Sequence, residues 1–109
     1  MTKDAEYLLC VLYKEYTDRR NNGKSKSDSS YFGSSRNVFD EFFAEWNLDD
    51  LDDTLRELHR LGYTECVYAD DTIYFFTLTT NGIAYMEQRF INKASDLLDT
   101  IMKLKSILF

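Results

Sequence analysis

Residues 48–63 read LDDLDDTLRELHRLGY. Leu48, Leu51, Leu55, Leu58 and Leu61 recur at steps of three and four, which places them on one stripe of a helix. Asn47 stands where an N-cap belongs, because its side chain can accept from the otherwise unsatisfied N–H groups of the first turn. Gly62 stands at the C′ position, where a left-handed backbone closes a helix without steric cost. Asp49, Asp50, Asp52 and Asp53 crowd the first two turns and suit the positive end of the helix dipole. A helix bounded in this way anchors the reading of its neighbours.

On its N-terminal side, residues 35–46 predict another helix, capped by Ser34 or Ser35. Val38, Phe39, Phe42, Phe43 and Trp46 give it a broad aromatic face for the core. Only Asn47 separates the two, so they form a helix-turn-helix-like pair. On the C-terminal side, residues 64–78 change to Thr, Val, Ile, Tyr and Phe, the residues of strands. Ala69-Asp70-Asp71 in their middle marks an antiparallel hairpin. Thr79 or Thr80 caps a further helix, TNGIAYMEQRF, in which Gly82 permits close packing against the hairpin. Residues 91–109 predict a last helix, continuous or not with the one before. Its residues Ala94, Leu97, Ile101, Leu104 and Leu108 form a seam of about two heptads.

At the other end, residues 4–17 predict a first helix with Ala5, Leu8, Leu9, Leu12 and Tyr16 inward. Residues 18–34, DRRNNGKSKSDSSYFGS, break the pattern with Asn, Gly and Ser clusters and predict a flexible basic loop. With Arg36 included, residues 18–36 carry a net charge of +3.

Composition narrows the function classes. A chain of 109 residues, 44% hydrophobic and 16% aromatic, builds one domain with a small core. Its net charge of −6 disfavours free nucleic acid, whose binding rests on phosphate neutralisation. Cys10 and Cys66 sit in apolar segments and read as reduced core thiols, in keeping with a cytoplasmic location. Charges interrupt the start of the chain, so no signal peptide is expected, and no window has the length of a membrane span. His59 is the only histidine, which leaves no histidine-based triad or metal site within one chain. No phosphate loop, nucleophile elbow or calcium-loop spacing is present, so neither catalysis nor a cofactor or metal is expected.

The order helix, loop, helix, turn, helix, hairpin, helix is that of a winged-helix domain. Leu61-Gly62-Tyr63 resembles the junction that enters the wing in that superfamily. The segment from Leu78 to Glu87 resembles the L-T-x-x-G-x-x-Y-[LM]-E segment that leaves it. From Val38 to the C-terminus the chain is similar to the YjcQ-like proteins, small winged-helix proteins of bacteria and prophages. The fold class expected is therefore α+β and mostly helical, a single winged helix-turn-helix domain of three helices, hairpin wing and fourth helix, with an additional C-terminal amphipathic helix.

That resemblance implies DNA binding through the third predicted helix, whose N-terminal half would face the bases. Here that half presents Asp49, Asp50, Asp52 and Asp53, and residues 37–58 hold eight acids and one base. Each unit charge about 4 Å from a phosphate costs roughly 1 kcal/mol even at the dielectric of water. The four aspartates therefore predict a surface for a basic protein, with self-association along the seam Ala94, Leu97, Ile101, Leu104 and Leu108. The alternative is a DNA-binding regulator. Its phosphate contacts would be Arg19, Arg20, Lys24, Lys26, Arg36, Arg56 and Arg60, with Lys93, Lys103 and Lys105 from the tail.

Overall fold

The computed structural model describes residues 1–91 and 94–109. In chain order the elements are α1 (Lys3–Asn21), α2 (Lys26–Ser30), β1 (Tyr31–Gly33), α3 (Ser35–Phe42), α4 (Leu48–Arg60), β2 (Thr64–Ala69), β3 (Thr72–Leu78), α5 (Thr80–Arg89) and α6 (Ala94–Leu108). The architecture is α+β, with helices around an antiparallel three-stranded sheet of order β1-β3-β2.

The α4 helix begins and ends as its sequence requires. The Asn47 side chain accepts from the N–H of Asp49 at 2.8 Å and of Asp50 at 3.4 Å. At the far end Tyr63 N–H donates to the Leu58 carbonyl and Gly62 N–H to the His59 carbonyl, both at 2.9 Å. With Gly62 at φ 84, this is the Schellman arrangement. Leu51, Leu55 and Leu58 are fully buried, in one core with Leu8, Leu9 and Leu12 of α1 and with Ile73 and Phe76 of β3.

The hairpin turns at Asp70 and Asp71, both with positive φ (51 and 65). That pairing gives the primed turn whose twist matches the two strands. The register runs from Thr64 opposite Leu78 to Ala69 opposite Thr72, with a bulge after Val67. The Thr79 hydroxyl accepts from Gly82 N–H at 3.0 Å and donates to the Gly62 carbonyl at 2.6 Å. It thus caps α5 and ties it to the end of α4. Gly82 packs against the Tyr63 carbonyl, as expected from its place in the sequence.

Residues 18–34 are not the flexible loop that their composition predicts. α1 runs four residues past the predicted end at Thr17, to Asn21. After a short turn, α2 is capped by the Ser25 hydroxyl, which accepts from Asp28 N–H. β1 then pairs antiparallel with β3, Tyr31 opposite Thr77 and Gly33 opposite Phe76. Arg19 organises the segment. It donates to the Tyr31 carbonyl at 2.7 Å and the Ser29 carbonyl at 3.4 Å, pairs with Glu15 at 3.0 Å, and lies 4.6 Å over the Phe32 ring.

The helix predicted over 35–46 ends at Phe42. Phe43 leaves the helix and is buried beside Tyr7 and Trp46, with ring centroids 5.8 and 4.9 Å away. Its burial takes the chain out of the helical path before α4 begins.

An ion pair between Glu6 of α1 and Arg89 of α5 fastens the two helices. Burial pushes the Glu6 carboxyl up, but hydrogen bonding and charge from Arg89 outweigh it, and its pKa lies below the ordinary value of 4.5. A lowered folded pKa gives stability that is present above the unfolded value and lost as pH falls through the folded one. Glu6→Gln is therefore expected to cost about 1 kcal/mol at pH 7 and nothing once both states are protonated. Urea midpoints of the two proteins from neutral to strongly acidic pH test this; a gap that persists in acid would contradict it.

Candidate functional site

The solvent side of α4 and the tip of the hairpin form one surface. Asp49, Asp50 and Asp53 are exposed on α4, and Asp70 and Asp71 are exposed at the tip. Arg56 joins the two parts. Its guanidinium donates to Asp53 at 3.0 Å and to the Asp71 carbonyl at 3.0 Å, and lies 5.7 Å from the centre of the Tyr68 ring. Arg56 thus holds the hairpin against the helix, with part of its charge already matched by Asp53.

The neighbouring acid is also engaged. Glu57 accepts from the N–H and the hydroxyl of Thr2, both at 2.8 Å. Burial raises its pKa, the two Thr2 hydrogen bonds and nearby positive charge lower it, and the net direction is downward. On the hairpin side, His59 Nδ1 lies 3.2 Å from the Thr64 carbonyl oxygen and 3.4 Å from the Cys66 backbone nitrogen, so the half-buried ring sits against the β2 backbone.

Asp52 departs from the expected contact surface. It is 6% exposed, and its Oδ1 atom is buried without a hydrogen-bond partner. Helical geometry explains the difference: Asp52 lies about 100° round α4 from Asp53, on the flank toward the buried Leu51–Leu55 stripe. The acidic surface therefore comprises Asp49, Asp50 and Asp53. Asp70 and Asp71 join it from the hairpin, where the sequence shows a turn but not its approach to α4.

The candidate phosphate contacts fall on several elements: Arg19 and Arg20 on α1, Lys24 and Lys26 at the turn into α2, Arg36 on α3, and Arg56 and Arg60 on α4. Arg19 is committed to the backbone of α2 and β1, which removes it from the candidate phosphate contacts. Arg20 donates to the Lys24 carbonyl at 3.0 Å, and Arg36 pairs with Asp40 at 3.4 Å. Lys24, Lys26 and Arg60 are exposed. Lys93 lies outside the described residues.

The seam on the last helix faces inward. Leu97 and Leu104 are buried, and Ile101 and Leu108 pack on the same core. The Phe109 ring lies 5.8 Å from that of Tyr7 on α1. α1 supplies the partner that the heptad-like spacing called for, so these residues are not free to join a second copy. The Ala94 side chain lies outside the described residues.

Among the described residues, no three His, Cys, Asp or Glu side chains converge as a metal site. Both cysteines are buried, and burial pushes the Cys10 thiol up to about 11, which keeps it protonated and unreactive. No described helix is long and apolar enough to cross a membrane. Comparisons with protein-family models, with curated proteins and with solved structures find no match.

Proposed function

We propose that this chain is a non-catalytic winged-helix module of bacterial or prophage type that docks on a basic protein through α4 and the hairpin tip. The order α1-β1-α3-α4-β2-β3 and the sheet order β1-β3-β2 support the winged-helix reading, with β2–β3 as the wing. α2 and α6 are additions to it.

One observation carries the functional part: the helix face that would enter a DNA groove holds Asp49, Asp50 and Asp53 in solvent against one exposed base, Arg60, while Arg56 is engaged by the hairpin. Such a face repels phosphate and attracts lysine and arginine. The wing tip adds the same sign through Asp70 and Asp71, where a DNA-binding wing would place bases.

The test is a pull-down from bacterial lysate in rising salt, run beside a mobility shift on random duplex at low salt. A basic protein should be retained at low salt and released at high salt. Changing Asp49, Asp50 and Asp53 together to asparagine removes three unit contacts of roughly 1 kcal/mol each, which weakens that complex about a hundredfold. Retention indifferent to these substitutions, or a duplex shifted at low salt, would overturn the proposal.

A further inference from the structure

Thr64, Cys66, Phe76 and Leu78 are buried on one face of the sheet, and the opposite face is turned to solvent. On that outward face Val67 lies opposite Phe75, and Glu65 and Tyr31 flank Thr77 from the two neighbouring strands. Tyr74 stands beside them as the extra residue of the bulge. Tyr31 is 49% exposed, Tyr74 65% and Val67 40%. The Phe75 ring lies 5.9 Å from that of Tyr31 and 5.7 Å from that of Tyr74, so the three make one aromatic surface.

We propose that this face receives arginine side chains of the protein partner, with guanidinium groups on the rings and their charge toward Glu65. The inference rests on the reading of the partner as a basic protein and names arginine, rather than lysine, as what it presents here. Two features select that occupant. The first is sign. The outward strand residues include Glu65 and no lysine or arginine, and the exposed Asp70 and Asp71 stand at the end of the same hairpin. Such a face repels the phosphates of a single strand whose bases could otherwise stack on it, and it repels a second copy of itself. Through Asp70 and Asp71 it also runs on into the acidic surface of α4, so one extended basic segment can follow both.

The second feature is the chain's own use of the same groups. On the inner side of the hairpin, Arg56 lies 5.7 Å from the centre of the Tyr68 ring and pairs with Asp53 at 3.0 Å. The outward face offers ring and carboxylate again, without the arginine. Among the described residues the other cations over rings are also arginines, on Phe32, Phe39 and Phe90. The physical reason is that a planar, weakly hydrated guanidinium lies flat on a ring and still donates to a carboxylate, whereas an ammonium keeps its water.

Fluorescence anisotropy of labelled octa-arginine and octa-lysine with the full chain at low salt tests the inference. Octa-arginine should bind about tenfold more tightly, the effect of two exposed ring contacts. Tyr31→Ser with Tyr74→Ser should abolish the preference with an unchanged circular dichroism spectrum, and Tyr31→Phe with Tyr74→Phe should keep it. Equal affinity for the two peptides, a preference indifferent to the serine substitutions, tighter binding of oligothymidine or octaproline, or a dimer that the serine substitutions dissociate would overturn the inference. Changing Asp49, Asp50 and Asp53 to asparagine separates it from the proposed function, since this should weaken both peptides alike and leave the preference. A preference with no effect of the aspartates keeps the sheet face and overturns α4 as the docking surface; aspartate-dependent binding with no preference does the reverse. Binding of neither peptide overturns both.

Discussion

Phe76→Ala is expected to destabilise the domain by about 4 kcal/mol, the range measured when a buried aromatic is cut back to alanine. Phe76 is fully buried at the centre of the sheet. On one side it is opposite Gly33 of β1 and on the other opposite Cys66 of β2. Its ring stacks on Phe32 with centroids 5.6 Å apart and planes within 9°. The substitution removes apolar burial and opens a cavity that α4 on one side and β1 on the other are too constrained to fill. Small domains have total stabilities of about 5–15 kcal/mol, so much of the folded population is at stake. The urea midpoint should fall with little change in slope. A loss below about 1.5 kcal/mol would mean that β1 and Phe32 are not docked on β3 as described.

Gly82→Ala should also destabilise, by about 2 kcal/mol, although alanine is the better helix former by about 1 kcal/mol. The sign is the informative part. A Cβ at position 82 would lie 2.5 Å from the Tyr63 carbonyl oxygen and 3.1 Å from Leu78 Cδ1. Leu78 could adjust, but the carbonyl could not easily, because it accepts from Thr79 N–H at 3.0 Å. Retreat of that oxygen would break the bond that sets the start of α5 against the end of α4. Thermal unfolding of the purified variant measures the effect. An unchanged or raised midpoint would show that the α4–α5 junction yields.

The elements that were legible in the sequence are those whose signals are local. Asn47, Gly62 and Thr79 each satisfy or release backbone groups within a few residues of themselves, so composition alone marks the boundaries they make. The 18–34 segment depends instead on Arg19 and Phe32, which order it through contacts ten or more residues away in the chain. Nothing in its Ser, Asn and Gly content announces them. α3 is shorter than its aromatic periodicity implies because Phe43 is buried by leaving the helix, a preference set by tertiary packing. On α6 the periodicity is correct but silent about the partner: the same spacing serves a helix of the same chain or of another. Four adjacent-looking aspartates likewise read as one cluster in sequence, whereas the helix turns Asp52 away from the other three.

The reversal between β2 and β3 also bears on design. Both of its central residues adopt left-handed backbone, for which Asn-Gly is the favoured dipeptide, yet the chain has Asp70-Asp71 there. The side chains that add negative charge to the surface of α4 and the hairpin tip are therefore the ones that strain the bend. Installing Asn-Gly at these two positions should yield a protein that melts later and, on the proposed function, holds a basic protein less well, so robustness and affinity would be set against each other at a single pair of residues.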